Sequence, residues 1–480
     1  MLLYAIVVLM LPSLTCGKNP AIQVILNDKG LQYGKHAGTD WIQRNLKKVT
    51  LPEIGGSILG IDYTLSGIKI AKCDLPEPSV KLYPGATGVK TSMSGLSVAL
   101  TGDWTTHLGI IHDGGTFDMA MFSVNVISVV ELGKDTNGHL SVSSVSCDAQ
   151  VGDVDIEFHG GASWLFQPFV DFFKGHISSI IQSNICPNVE NMISNLEHHL
   201  QAMNVSIDVD QALTLDLSLT GLPIIDVSSL NLGLKGEFYS IKTHAEPPFE
   251  AQPFKLSEQQ GYMLSLGLSE FTLNSASYGY YSAGIFKVLI NDSMIPPFSP
   301  VHLNTSSMGR FIPQLPQMFP GLLMELQVYA REVPMFSIQP AAVRLGFQGA
   351  IKAFAIQRNG TKTPLFKLNA DSKFSSKVWI SNGKLTGSAS MDNFTLTLVA
   401  SEIGTFKTDS LEKIVKLGIK TVGLEKLNEK LKKGVDLPRM KHAQLVNSVL
   451  KVGVGFIALF SDAKVLLSDR GSNQQTNGPV

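Results

Sequence analysis

The 480-residue sequence lacks the usual marks of catalysis. It holds no G-x-S-x-G, no H-E-x-x-H, no Walker loop and no C-x-x-C, so the common nucleophile, zinc-hydrolase, phosphate-cradle and thiol-redox chemistries have no residues to start from. Charge is also scarce, at 16% Asp, Glu, Lys and Arg against 44% hydrophobic residues. That balance is low in charge for a soluble chain. Beyond the N-terminus, however, no stretch reaches the roughly 18 apolar residues of a membrane span. The best candidate, V-L-K-V-G-V-G-F-I-A-L-F at 449–460, is short and contains Lys451. Two readings fit the apolar surplus: side chains lining internal apolar cavities, or a large core.

The N-terminus reads as an export signal. Residues 2–14, L-L-Y-A-I-V-V-L-M-L-P-S-L, form an apolar h-region, and Thr15 and Gly17 suit the cleavage site, which makes 1–17 the expected signal peptide. Its n-region carries no Lys or Arg. Cleavage discards Cys16 and leaves Cys73, Cys147 and Cys186, enough for one bridge and one free thiol, with Cys73 the simplest spare. A bond between Cys147 and Cys186 would pin the alternating stretch 151–159 to the apolar helical run 164–182, where Phe169, Phe172, Phe173, His176, Ile177 and Ile180 recur at helical spacing. Pro187 predicts a kink before that helix resumes. Five N-x-S/T sequons, at Asn204, Asn291, Asn304, Asn359 and Asn393, agree with secretion and mark expected glycosylation sites.

The charge is unevenly placed. Lys18 to Ala245 holds 14 Lys and Arg against 23 Asp and Glu, whereas the rest of the chain holds 25 against 17. Nine of the eleven histidines lie in the acidic half, which would lose much of its negative charge near pH 6.

In chain order, 19–27 reads as a strand and 28–49 as a helix with an internal Gly-rich turn, burying Leu31, Trp41, Leu46 and Val49. Two-residue alternation over 61–132 predicts long, strongly twisted antiparallel strands, with a hairpin turn at Asn137-Gly138. The proline-rich stretch 242–254 reads as a stiff, extended connector. The order of parts then recurs: a Tyr/Phe-rich segment at 261–290, strands near 299–306, 323–330 and 343–356, a hairpin at Asn382-Gly383, and a helical run from Ser410 to Lys433 interrupted at Gly423. It is a pseudo-repeat of architecture without repetition of sequence.

Several groupings invite chemistry and have plainer explanations. Glu197-His198-His199 resembles a metal cluster, but adjacent helix positions point about 100° apart, which suits a solvated face. Asp153, Asp155 and Glu157 share one strand face that suits water as well as calcium. Gly453-Val454-Gly455 has no βαβ unit after it to make a dinucleotide site. Lys413, Lys416, Lys420, Lys426, Lys430, Lys432 and Lys433 read either as an ordinary amphipathic helix or as an anionic-membrane site.

Over nearly its whole mature length the sequence resembles the family of bactericidal/permeability-increasing protein, lipopolysaccharide-binding protein and the plasma lipid transfer proteins. The resemblance is carried in order by Asn19-Pro20, the Cys147/Cys186 spacing, K-G-E-F-Y-S at 235–240, G-L-S-E-F at 267–271, A-G-I-F-K-V-L-I-N-D-S-M-I-P at 283–296, N-E-K-L-K-K-G at 428–434 with Leu437-Pro438, and Q-L-V-N-S-V-L-K at 444–451. It implies an α+β, two-domain boomerang, each domain a highly twisted antiparallel sheet wrapped around long helices, joined by a central sheet. It further implies a Cys147–Cys186 disulfide, and a phospholipid in an apolar pocket of each domain with no other cofactor. The expected divisions are 18–241, a linker at 242–254, 255–464, and a polar, disordered tail at 465–480.

Defence members of the family grip lipid A with lysines and arginines at the tip of the N-terminal domain, and here the sequence departs. E-I-G-G-S-I-L-G at 53–60 and G-D-W-T-T-H-L-G-I-I-H-D-G-G at 102–115 are acidic or neutral. The remaining headgroup candidates are Lys47, Lys48, Lys90 and Trp104, which equally suit a solvated helix end, a strand edge and a core position. The expected function is a secreted, monomeric, non-enzymatic protein that binds lipopolysaccharide or bacterial membrane lipid at the outer-membrane surface in innate defence, with no nucleic-acid partner. The alternative is a phospholipid carrier or transfer protein without antibacterial activity.

Overall fold

Apolar alternation over 88–134 builds two very long strands, and the first half of the chain forms around them. The computed structural model describes residues 18–46, 53–58, 60–108, 111–165, 170–257, 259, 261–297, 299–340, 342–437 and 443–465. After β1 (Ile22–Asn27) and α1 (Asp28–Leu46) come β2 (Ile54–Ile58), β3 (Ile61–Asp74), β4 (Ser79–Tyr83), β5 (Gly88–Leu108), β6 (Ile111–Lys134), β7 (Leu140–Gln150) and β8 (Asp153–His159). β5 and β6 pair from Gly88–Glu131 to Leu108–Ile111. At about 3.3 Å per residue each runs on the order of 70 Å. The free edge of β5 therefore takes β4 and then β3, and that of β6 takes β7 and then β8.

The helix α2 (Val170–Gln201) packs on β7 and β8. Cys147 on β7 is bonded to Cys186 on α2, with Cα atoms 5.6 Å apart. On either side of this bond, α2 side chains satisfy backbone amides: the Val142 amide on β7 donates to Glu197 Oε2 at 2.6 Å and the Val151 amide, just past β7, to Gln182 Oε1 at 3.1 Å.

Next come β9 (Ser206–Asp208), β10 (Leu213–Asp216), β11 (Ile224–Ile225), β12 (Ser229–Leu234) and β13 (Glu237–Ser240), of which β13, β10 and β9 form a small three-stranded sheet. The second half comprises β14 (Leu264–Ser269), α3 (Glu270–Ser282), β15 (Lys287–Asn291), β16 (Leu323–Ala330), β17 (Met335–Gln339), β18 (Ala342–Ile356), β19 (Lys362–Ser381) and β20 (Lys384–Ser401). It ends with α4 (Asp409–Gly418), a π turn (Ile419–Gly423), α5 (Leu424–Lys433), β21 (Val435–Asp436), β22 (Ala443–Val452) and β23 (Phe456–Val465). Its sheet runs β15-β16-β18-β19-β20-β21, with β17 also on β18. The Asn428 side chain donates to the Ala389 carbonyl at 3.0 Å and accepts from its amide at 2.7 Å, so α5 lies along the edge of β20.

The halves meet in a six-stranded sheet of order β11-β12-β1-β14-β23-β22, in which β1 pairs with β12 on one side and β14 on the other. Asn19, Gln23 and Asn27, four residues apart on one face of the strand, donate to the carbonyls of Ala251, Phe254 and both Gln259 and Tyr262. The proline-rich connector is thus fastened along β1.

Several local expectations change. The 28–46 region is one helix without an internal turn. A Cβ at Gly30 would sit 2.6 Å from Leu26 and 2.7 Å from the Met263 carbonyl, so this glycine permits close packing. Helical structure continues through Pro187, where Asn184 and Asn188 side chains donate to carbonyls four residues earlier. The strand expected at 299–306 is instead a loop entering a short helix, Thr305–Met308, capped by Asn304 Oδ1 accepting from the Ser307 amide. Asn382 and Gly383 both adopt positive φ and form the expected two-residue hairpin, whereas Asn137-Gly138 lies inside a longer 135–139 loop. Residues 1–17, Val49 and 466–480 lie outside the described residues.

Removal of the disulfide by Cys147→Ser should cost about 4 kcal/mol in the chain-entropy model for a loop of this length. In a urea melt the first-half transition should move to lower denaturant while the second-half transition holds. A second prediction concerns acid. Burial alone would raise the Asp462 carboxyl, but donation from Lys29 at 2.8 Å, Asn447 at 3.2 Å and the Met263 amide at 3.2 Å holds it below the usual carboxylate range. A depressed folded-state value gives stability that is complete above about pH 4 and is lost as pH falls through that value. Asp462→Asn should therefore flatten the acid limb of urea midpoint against pH.

Candidate functional site

Each half encloses an apolar interior between its curved sheet and its helix. In the first half, Tyr63, Leu65, Ile68, Leu100, Phe117 and Phe158 form the sheet side. From α2, Val170, Ile177, Ile181 and Ile185 face them at positions separated by seven and then four residues, one stripe of a helix. Ile177 is fully buried, while Val170, Ile181 and Ile185 are half-buried. His176 is exposed, Ile180 is half-buried, and Phe169 and the side chains of Phe172 and Phe173 lie outside the described residues. Further along α2, Met192 and Leu196 are 71% and 50% exposed, so its apolar character continues past the packed core.

The second half repeats the scheme without a disulfide. Leu411 and Leu424 are buried and Val415 and Ile419 half-buried against Leu368, Met391, Phe394 and Leu396. Steps of four, four and five residues connect 411, 415, 419 and 424. A π turn at Ile419–Gly423 absorbs the five-residue step and returns the stripe to the sheet. The interruption at Gly423 thus preserves one face. The Leu396 amide donates to Glu412 at 2.9 Å, and Thr408 donates to the Leu396 carbonyl at 2.9 Å. Half-buried Phe311, Phe319, Phe374 and Phe406 border this interior.

The expected headgroup candidates are not brought together. Trp104 is corrected to a core residue: it is 1% exposed, donates from Nε1 to the His159 carbonyl at 3.2 Å, and meets Phe158 edge-on at 5.9 Å. Its strand alternates, and its indole lies on the inward face. Lys90 is corrected in position. It pairs with Lys81 beside the central sheet, 18 residues along β5 from Leu108 at the tip, on the order of 60 Å of strand. Lys47 and Lys48 lie outside the described residues. At the tip His107 and His112 pair across strands with ring centroids 4.4 Å apart, and Asp113 accepts from the Gly114 and Ala162 amides.

The other groupings resolve as structure. Glu197 seals β7 and His199 contacts the Asn195 carbonyl, while Asp155 is ion-paired to Lys174 at 2.7 Å. Among the described residues no three His, Cys, Asp or Glu side chains converge as a metal site requires. Gly455 donates to the Ile338 carbonyl in the β22–β23 turn. A cavity of about 300 Å³ beside the connector is lined by Lys18, Asn19, Lys235, Glu237 and Phe249, a surface too charged for an acyl chain. Among the described residues no helix is long and apolar enough to cross a membrane.

Two sheet-and-helix units with apolar interiors, sharing one central sheet, define a lipid-binding class of fold. Residues 30–196 match the N-terminal domain, and 207–465 the C-terminal domain, of the LBP / BPI / CETP family, and the chain belongs to that family. The family is lipid-binding, and the protein is not an enzyme. The chain is 38% identical over 457 residues to the bactericidal permeability-increasing protein of Sebastes schlegelii, covering 94% of this chain and 96% of the relative. It is 28% identical to the lipopolysaccharide-binding protein of Bos taurus over 94% of this chain and 95% of that one. The crystal structure of a lipopolysaccharide binding protein superposes with a TM-score of 0.57 at 25% identity, covering 94% of this chain and all of the other.

Two substitutions test the assignments. Trp104→Ala should destabilise the first half by roughly 3–5 kcal/mol, read as a lowered urea midpoint, because it empties a packed interior. Asn428→Ala should cost about 1–3 kcal/mol by leaving two strand groups unpaired. Hydrogen exchange should accelerate at Ala389 in that variant and remain unchanged on β5.

Proposed function

We propose that the protein is secreted after loss of residues 1–17 and binds lipopolysaccharide or bacterial membrane lipid in antibacterial defence. The observation carrying this reading is the end-to-end match to a bactericidal permeability-increasing protein. Acyl chains would enter the apolar seams between each sheet and its helix, gaining roughly 0.8 kcal/mol per buried methylene. Ile181 and Ile185 in the first half and Phe374 and Phe406 in the second border those seams. The bound species in each would be a phospholipid or the acyl portion of lipopolysaccharide. On this reading the working units are 18–241 and 255–464, linked by 242–254. Glycans would stand on the exposed Asn204, Asn291, Asn359 and Asn393 and on the half-buried helix cap Asn304.

The test compares binding of the purified glycoprotein to lipopolysaccharide and to neutral phosphatidylcholine vesicles at low and high salt. A preference for lipopolysaccharide that weakens as salt rises is expected, because screening acts on headgroup attraction and leaves the apolar seams unaffected. Equal or vesicle-favoured uptake, insensitive to salt, would replace the defence reading with that of a phospholipid carrier.

A further inference from the structure

We propose that the outer face of the α4–α5 pair is a docking surface for an anionic lipid bilayer. The pair is fixed in one orientation. Leu411 and Leu424 are buried in the second-half core, Glu412 accepts the Leu396 amide, and Asn428 pairs with both backbone groups of Ala389. These anchors lock one side of the pair against β20, so the opposite side must face outward.

That outward side combines cations with apolar side chains. Leu417, Val422 and Leu427 are 57%, 40% and 42% exposed. Lys413, Lys420, Lys426, Lys430, Lys432 and Lys433 are exposed among them, with Lys416 half-buried, and the acids on the same pair are Asp409, Glu425, Glu429 and the inward-bonded Glu412. Among the described residues none of these seven lysines is held in an ion pair. An ordinary solvated amphipathic helix places its leucines inward, whereas here the inward stripe is already complete with Leu411, Val415, Ile419 and Leu424. The exposed leucines and valine are additional to it.

The chemistry selects the partner. Lysines spread along a helix with short aliphatic side chains between them match an anionic headgroup layer over acyl chains, where cations meet phosphates and aliphatic groups enter the boundary. The face is built from the outsides of two consecutive helices, a form that suits a broad, yielding surface. Lysines near an anionic membrane contribute about fivefold each to partitioning. The surface lies in the basic half of the chain, far in sequence from the acidic tip at 102–115. This inference rests on the lipid-surface reading only in that the protein works at a membrane; the docking face itself is independent of which lipid fills the seams.

The experiment measures co-sedimentation of the full glycoprotein with phosphatidylglycerol/phosphatidylcholine vesicles and with pure phosphatidylcholine vesicles. The variants are K420Q/K426Q/K430Q and L417S/L427S, each accepted only with a wild-type urea midpoint. The lysine variant should lose on the order of a hundredfold in partitioning to the anionic vesicles with no change on neutral ones. The leucine variant should also bind the anionic vesicles more weakly at fixed salt. Retention of wild-type anionic binding by the lysine variant overturns the proposal, as does failure of the wild-type protein to prefer anionic vesicles. Unchanged anionic binding of the leucine variant with reduced phosphatidylcholine uptake also overturns it, by making those leucines part of the seam. If the lysine-dependent preference is present but lipopolysaccharide is not preferred, the defence reading fails and the docking face stands. If lipopolysaccharide is preferred but the lysine variant keeps wild-type binding to anionic vesicles, the docking face fails and the defence reading stands.

Discussion

The architecture depends on β1 having no free edge. Its six residues pair with β12 from the first half and β14 from the second, so the first strand of the described residues lies between the two units. Strand pairing specifies register strongly where a face is buried, and β1 buries Ile22 on one face and Ile25 on the other, where Gln23 also reaches the connector. The same strand therefore fixes three things: the first unit, the second unit, and the path of the chain between them. A stiff connector alone would set a distance between units. A connector hydrogen-bonded at Asn19, Gln23 and Asn27 also sets their orientation.

A second constraint recurs outside the central sheet. Long twisted sheets expose edge strands whose unpaired amides and carbonyls invite association. Here helices cover them with polar side chains aimed at the strand backbone. Glu197 and Gln182 satisfy amides at β7 and beyond it, Asn274 and Glu270 satisfy Phe336 and Ile338 on β17, and Asn428 and Glu412 satisfy Ala389 and Leu396 on β20. Because these bonds hold the helix at the sheet's rim, its apolar stripe need not fill the whole interior to keep it in place. Half-buried aliphatic residues can then remain along the seam, as a reversible acyl-chain site requires. The first half adds the Cys147–Cys186 bond to this closure, and the second relies on side chains alone.

Much of this was legible in the sequence where periodicity carried it. Alternation marked the strands of 61–132, helical spacing marked 410–433, and the family resemblance implied the cysteine pair that the structure contains. Periodicity was silent on the rest for physical reasons. Alternation divides a strand into two faces without saying which is inward, so Trp104 stood open until its indole was found against Phe158. It also gives no register, so Lys90 could not be placed at one end of the sheet or the other. The glycines of 28–49 suggest an internal turn because helix glycines are costly, whereas at Gly30 close approach of the Met263 carbonyl explains the residue. The edge-sealing residues were missed altogether, because a side chain that bonds a distant backbone group leaves no repeat. Asn19, Gln23 and Asn27 are a partial exception: amide side chains every fourth residue on a strand are a detectable pattern.

The distribution of charge follows a logic separate from that of the seams. With 14 cations against 23 anions before Glu246 and 25 against 17 from Glu246 onward, the two halves respond oppositely to a negative surface. Screening confines that response to about 8–10 Å at physiological salt, so it acts on the parts of the molecule already close to the surface and not on distant approach. Within that range the acidic tip is repelled and the lysines of α4 and α5 are attracted, which turns the molecule toward the surface by its second half. The apolar seams need no such field, since burial of methylenes is non-directional and insensitive to ionic strength. Orientation and uptake are thereby assigned to different groups of residues, and a chain that loses cations at one end can retain lipid binding while changing which end meets the membrane.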